Sequence, residues 1–577
     1  MSIRVHRNIP DSVGLNVFTQ DPDFLELLRI YLPEQVIERI LPHLVRMGEL
    51  VGDELEQLAL CADKNPPELV LRARDGAPDE RVVKHPAYIE LEKYAFGAFG
   101  LAAMSHRKGV FGAADKLPPI VKYAFVYLFV QAEFGLCCPL SMTDSLTRTL
   151  VKFGSEDLVR RYFNRLTSQD HQALFQGAMF MTEQAAGSDV GAIECTARQE
   201  EGAWRLYGDK WFCSNPDAAL SMVLARPEGA QAGTKGLSLF LLPRHLPDGT
   251  RNAYRIVRLK DKLGTRSMAS GEVVLEGALA YLVGDPGAGF KQMTDMINMS
   301  RLANGVRSAG LMRRSVQEAV FIASNRDAFG KKLIDLPLMR RQLVKMQTTA
   351  EQARSMVFQA AKVLQAADAG DDAMAKVLRI LTPLIKFRTC RDARKVAGDA
   401  MEVRGGCGYI EEWSDARILR DAHLGSIWEG TSNIVALDVA RATRREGALE
   451  ALCDYVRDLL AQAPAQASQD VAHIFAKATE YLRAVAGDKA REGEVRQAAS
   501  AVYNATSAAF LTWEDGQLRA SNTYRGSRRL IAAQVLRHKL SAHDPFSPCA
   551  DEAAEMDVLL ASALAPAAAP VSGEMVA

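Results

Sequence analysis

The sequence predicts an α+β chain, mostly α. It reads as an N-terminal helical domain, a central β-domain, a C-terminal four-helix bundle and an extra C-terminal helical domain. Three observations predict this. Apolar residues recur at helical spacing up to about residue 165. Strand-like runs then occupy residues 170–285. Long helical patterns with little internal glycine or proline return from Phe290. This order fits no doubly wound sheet, in which strands and helices alternate. Gly405-Gly406-Cys407-Gly408 lies outside any strand-to-helix context, which argues against a nicotinamide-binding fingerprint.

In chain order, residues 24–44 and 87–104 carry apolar residues at helical spacing, and Pro33 splits the first run. Residues 123–135 are apolar nearly all round and predict a buried helix. Residues 204–212 read as two short strands joined by a turn at Gly208, 236–242 as a β run, and 271–276 as an alternating strand. Helices are expected over 298–324, 337–367, 373–404 and 431–442, with further helix over 446–540. The expected divisions are 1–169, 170–285, 286–445 and 446–545, followed by an alanine- and proline-rich tail, 546–577, expected to be disordered.

The chain has 577 residues, with seventy basic and seventy acidic side chains. That balance gives no global argument for binding nucleic acid or membrane. Nine cysteines, an odd number with no Cys-x-x-Cys pair, predict reduced thiols and a cytoplasmic setting. No signal-peptide pattern and no run long enough for a membrane span is read.

Five blocks and one further strip carry the chemistry. Met181-Thr182-Glu183-Gln184-Ala185-Ala186-Gly187-Ser188-Asp189-Val190-Gly191 leaves a strand through a polar turn. Gly208-Asp209-Lys210-Trp211-Phe212-Cys213-Ser214-Asn215 reads locally as an amphipathic hairpin. Lys262-Leu263-Gly264-Thr265-Arg266-Ser267 reads as scaffold. Arg301 is followed by Arg326-Asp327-Ala328-Phe329-Gly330, and arginine's planar fork suits a pyrophosphate. Glu402-Val403-Arg404-Gly405-Gly406-Cys407-Gly408 reads either as a helix-ending turn or as a place where backbone approaches a ligand closely. The strip Ser426-Ile427-Trp428-Glu429-Gly430-Thr431-Ser432-Asn433 then places a carboxylate between an aromatic residue and glycine.

In this order and spacing the blocks resemble the acyl-CoA dehydrogenase family. Asn65-Pro66-Pro67, Val83-Lys84-His85-Pro86, Cys138-Pro139-Leu140-Ser141 and Trp428 resemble its AidB-type branch, associated with the adaptive response to DNA alkylation. The resemblance implies an FAD enzyme that removes an α-proton from an acyl-CoA with Glu429 and a hydride from the β-carbon. A backbone N–H near the base and a flavin hydroxyl polarise the thioester carbonyl. It implies that Met181, Thr182, Gly187 and Ser188 border the flavin, with Ser188 also near the substrate arm. The resemblance further implies that Phe212, Cys213 and Ser214 form the strand against the isoalloxazine. By the same resemblance Arg326 and Phe329 would reach a neighbouring subunit's FAD, and Gly405 and Gly406 would let backbone approach the FAD pyrophosphate or adenosine. Trp428, Gly430, Thr431 and Asn433 complete the cofactor site, and Arg301 lies on the CoA side. Departures from the family are Asn298 for Asp, Pro337 for Gln, Glu402 for Gln and Phe212 for Trp.

The branch further implies a homotetramer and binding of double-stranded DNA. Arg519, Arg525, Arg528, Arg529, Arg537 and Lys539 fall in a segment without acids, and Arg441 could add to them. A solvated basic helix face is the alternative. Two readings, which are compatible, therefore stand: an acyl-CoA dehydrogenase, and a DNA-binding flavoprotein with weak or vestigial dehydrogenase chemistry. An acyl-CoA oxidase is a third.

Overall fold

The protein is described here by a computed structural model covering residues 9–521, 524–542 and 552–564. The chain divides into two compact units. One takes in the chain up to Glu56, Gly305–Ser426 and the chain from Val435; the other is Gln57–Asn304 with Ile427–Ile434.

Helices α1 (Pro22–Tyr31) and α2 (Glu34–Gly52) are separated at Pro33 as expected. Leu32 before it is extended, because the proline ring disfavours helix at the preceding residue. After α3 (Glu54–Lys64) comes an antiparallel hairpin, β1 (Glu68–Arg72) and β2 (Pro78–Val83), in a region expected to be helical. Its turn carries Gly76 at φ +87° after Asp75, a local hairpin signal that helical periodicity on either side obscured.

Helix α4 (Pro86–Glu92) gives way to a π-helical stretch, Lys93–Ala98, and then to turns around Gly100 at φ +55°. The run over 87–104 is therefore not one helix. Helix α5 (Pro119–Phe129) is buried on all sides from Ile120, but ends at Phe129, short of the expected 135. Its one charge, Lys122, pairs with Asp144 at 2.8 Å on α6 (Cys137–Phe153), and α7 (Glu156–Leu166) follows.

The β region comprises β3 (Gly177–Phe180), β4 (Thr196–Glu200), β5 (Ala203–Ser214), β6 (Leu220–Pro227), β7 (Ser238–Pro243), β8 (Tyr254–Leu259) and β9 (Ser270–Val283). The strand order is β3-β6-β4-β5-β9-β7, with β8 on β9; an added β6–β7 pairing closes the path into a ring. Residues 204–212 lie in the single strand β5 rather than in two strands. Gly208 sits within it at φ +126° beside a register shift, where an added Cβ would lie 2.7 Å from Cys195 Sγ. The glycine thus kinks the strand instead of ending it.

The remaining helices are α8 (Gly289–Asn325), α9 (Pro337–Asp368), α10 (Asp372–Arg404), α11 (Ser414–Leu424), α12 (Ser432–Arg445), α13 (Ala448–Ala461), α14 (Ala465–Gly487), α15 (Val495–Leu518), α16 (Ser527–Val535) and α17 (Glu552–Leu564). Inside the helical unit Asp21 is 2.8 Å from Arg313 and 2.7 Å from Arg354. Arg528 joins the same network, 2.7 Å from Glu351 and 3.6 Å from Glu514. Such buried charges tolerate loss of a partner poorly.

Helix α17 occupies part of the expected disordered tail, with Leu559 and Leu560 buried and α9 as neighbour. The rest of 546–577 lies outside the described residues. No helix among the described residues is long and apolar enough to cross a membrane.

Candidate active site

Glu429 lies between α11 and α12 at φ +54°, followed by Gly430 at φ +103°. Two consecutive left-handed residues make a sharp turn, and the first is costly for any residue with a side chain. The first half of α8 holds that turn. Ser300 and Asn304, four residues apart and so on one helix face, donate hydrogen bonds from Oγ and Nδ2 to the two carboxylate oxygens of Glu429. Arg301 Nε donates to the Glu429 carbonyl at 3.0 Å. Ser300, Arg301 and Asn304 are all buried. Trp428 Nε1 donates to Asn304 Oδ1 at 2.7 Å, and its ring stacks on Phe134 with centroids 6.1 Å apart. Main chain and carboxylate of Glu429 are thus fixed by one rigid element.

The Met181–Gly191 segment is held onto β5. Trp211 N–H donates to Thr182 O at 2.8 Å. Beneath it, buried Lys210 reaches Glu183 at 2.6 Å and the Leu224 carbonyl at 2.8 Å. Glu183 also accepts from the Glu194 N–H at 2.6 Å. Burial alone would push its carboxyl up, but the Lys210 charge and these hydrogen bonds hold it below the usual value.

Above this clamp, Gly187 and Ser188 are exposed, Met181 and Thr182 half-buried, and Phe212 is 57% exposed. Phe212 and Ser214 alternate with Cys213, which is fully buried on the other side of the strand. Burial raises the Cys213 thiol far above its ordinary value. Its side chain therefore faces the core, so that of this residue only the backbone could border a ligand. An exposed aromatic ring near the end of a strand fits a flat ring system such as isoalloxazine.

In the helical unit Arg326 Nη1 donates to the Arg404 carbonyl at 3.1 Å, beside Gly405 at φ +74°. An added Cβ on Gly405 would come 3.8 Å from Arg326 Nη1, and one on Gly406 would meet nothing. Arg326, Gly405 and Gly406 thus come together with open space before them, as a pyrophosphate requires. Phe329, at φ +53°, is 92% exposed. Glu402 is exposed, as are Thr431 and Asn433 at the start of α12.

The family model "Acyl-CoA dehydrogenase, middle domain" matches residues 178–278, and "Acyl-CoA dehydrogenase, C-terminal domain" residues 287–443. "Adaptive response protein AidB N-terminal domain" matches residues 8–173. Acyl-CoA dehydrogenase family member 11 of Caenorhabditis elegans is 32% identical over 83% of this chain and 80% of its own length. The chain belongs to the acyl-CoA dehydrogenase family. Like the other acyl-CoA dehydrogenases it is an oxidoreductase whose cofactor is FAD, and its N-terminal domain marks the AidB branch. AidB of Escherichia coli K12 is 35% identical over 73% of this acyl-CoA dehydrogenase and 76% of its own length. The crystal structure of Caenorhabditis elegans ACDH-11 in complex with C11-CoA superposes with a TM-score of 0.86 at 27% identity, covering 96% of this chain and 97% of that one.

Sequence reasoning missed Asn304, Phe134 and the Glu183–Lys210 clamp. Ser300 and Asn304 at helical spacing were a signal, but a buried helix carries many polar residues and only the fold selects its partner strip. The basic residues are dispersed in their environments. Arg519, Arg525, Arg529 and Arg441 are exposed, with Arg519 paired to Asp515 and Arg441 to Asp438. Arg537 pairs with Glu555 at 2.8 Å. Lys539 is half-buried and donates to Gln352; burial lowers its pKa. Arg528 is fully buried among carboxylates, so it cannot belong to an exposed phosphate-binding face.

Proposed function

We propose that this protein dehydrogenates an acyl-CoA across its α,β-bond, with Glu429 as the base. The observation that carries this reading is the strained Glu429 turn held by Ser300, Arg301 and Asn304. A carboxylate fixed at both oxygens and at its own carbonyl spends little free energy on orientation when the substrate arrives. Glu429 takes the α-proton, and a nearby backbone N–H polarises the thioester carbonyl, without which that proton is too weakly acidic. FAD, when bound, supplies the acceptor for the hydride leaving the β-carbon.

Met181, Thr182, Gly187, Ser188, Phe212 and Ser214 would hold the ring, together with the strip Trp428, Gly430, Thr431 and Asn433. Arg326, Phe329, Gly405 and Gly406 would take the pyrophosphate and adenosine of a neighbouring subunit's cofactor in a homotetramer. The almost fully exposed Phe329 supports that assignment, since a free aromatic ring in a strained turn suits an intersubunit contact. The C11-CoA bound by the nematode relative supports an acyl-CoA substrate. The test is anaerobic titration of the purified yellow protein with straight and branched acyl-CoAs. Bleaching of the visible flavin band is expected; a bound flavin that no acyl-CoA reduces would refute the reading.

A second reading, phosphate-backbone binding to double-stranded DNA, is favoured by a specific feature of the helical unit. A cavity of about 390 Å³ is lined by Arg388, Arg391, Asp392, Arg394, Lys395 and His423. Arg394 Nε is buried there without a hydrogen-bond partner. If DNA lies here, Arg391→Ala with Arg394→Ala lowers duplex affinity. The slope of log K against log salt then flattens by about 1 for each phosphate that is no longer neutralised. Fluorescence anisotropy across a salt series checks this, and an unchanged slope would exclude the cavity as a DNA site.

A further inference from the structure

An asparagine amide has two unlike ends. Its oxygen only accepts and its nitrogen only donates. The Trp428 indole N–H can only donate, and it meets Asn304 Oδ1 at 2.7 Å. That contact decides which end of the amide faces the base, namely Nδ2, the donor to Glu429 Oε2. The reversed amide would set donor against donor at the indole and acceptor against carboxylate at Glu429. Asn304 is fully buried, so water is poorly placed to repair such a reversal. The indole is itself held, because its ring lies 18° from the plane of Phe134.

We infer that Asn304 is a positioning residue for the Glu429 carboxylate and that Trp428 acts on the base through it. This rests on the proposal that Glu429 is the base. The order of control is then Phe134 to Trp428 to Asn304 to Glu429: the residue before the base sets the base's side chain by way of helix α8. The two oxygens are not equivalent in this arrangement. Ser300 Oγ can donate to an ionised oxygen and, after rotating, accept from a protonated one. Asn304 Nδ2 can only donate. The α-proton therefore goes to Oε1, on the Ser300 side, while Oε2 stays anchored to Asn304. Atoms and electrons balance with the acceptor already named: the α C–H bond breaks, its proton forms the Oε1–H bond, and its electron pair becomes the Cα=Cβ bond as the β-carbon gives up its hydride.

The test uses the flavin-loaded full chain and three variants. Asn304→Leu keeps bulk and removes both hydrogen bonds. Trp428→Phe keeps an aromatic ring over Phe134 and removes the indole N–H. The third variant combines them. Expected are a flavin-reduction rate constant about 10- to 100-fold lower in Asn304→Leu, with unchanged flavin content and unchanged acyl-CoA Kd. Trp428→Phe, which keeps the aromatic ring beside the flavin, should lose less, and the double variant should be no slower than Asn304→Leu alone, because the indole N–H acts through Asn304. Additive losses, or a loss expressed only in Kd, would overturn the inference.

An independent readout needs no turnover. The ultraviolet resonance Raman band sensitive to indole N–H hydrogen bonding should shift in Asn304→Leu relative to the parent protein. If no acyl-CoA reduces the parent flavin, the dehydrogenase reading fails, yet this shift still decides the Trp428–Asn304 link: its presence supports the link and its absence overturns it.

Discussion

Glu429→Gln is expected to leave a folded yellow protein whose flavin is reduced by acyl-CoA about 10³- to 10⁴-fold more slowly. The substitution is close to isosteric. With the amide oxygen toward Asn304 Nδ2 and the amide nitrogen toward Ser300 Oγ, both contacts of the carboxylate survive. The Arg301 bond goes to the main chain and is untouched. Only the ability to accept a proton is lost, so the deficit should lie in the rate constant for reduction and not in acyl-CoA affinity. Rapid mixing without oxygen, with the visible flavin band as signal, measures both.

Lys210→Met should destabilise the β region by about 3 kcal/mol and weaken flavin retention. Lys210 lies beneath the loop that leads from Met181, and its removal strands Glu183 as a buried, unpaired carboxylate. Glu183→Gln combined with Lys210→Met should recover part of the loss, since no buried charge then remains alone. The pH dependence has a definite sign. Glu183 has its folded-state pKa depressed, so its stabilisation is present above the ordinary carboxylate pKa and is lost as pH falls below it. Thermal unfolding from pH 7 downward should show an acid-side decline that is shallower in the double variant. Unfolding and flavin occupancy in the single variant indistinguishable from the parent would show that the clamp is not structural.

Much of this is legible in the sequence. Helical period before residue 165 and after Phe290, with strand-like alternation between, follows from which faces are buried, and buried faces recur at the period of their element. The motif strips are local in sequence: Phe212 and Ser214 share one side of β5, and Thr182 is hydrogen-bonded to the neighbouring Trp211.

What escapes a sequence reading is set by residues distant in the chain. Arg528 looks like one more cation in a basic run, but it packs against Glu351 and Glu514 from α9 and α15. Asn304 is one polar residue among many on α8 until Trp428 and Glu429 meet it. Cys213 is placed on the core side only once Phe212 beside it is known to be exposed. The hairpin at β1 and β2 and the continuity of β5 through Gly208 show opposite errors. One glycine interrupts a helical pattern in the first case and only bends a strand in the second.

Whether Glu429 removes the α-proton of an acyl-CoA is tested most directly by isotope substitution. The measurement compares single-turnover flavin reduction by an unlabelled acyl-CoA and by the same thioester deuterated at the α-carbon, in the parent enzyme and in Glu429→Gln. The expected result is slower reduction with the deuterated substrate in the parent enzyme and almost none with either substrate in the variant. Reduction of the Glu429→Gln flavin at the parent rate would contradict the role of Glu429 as the base.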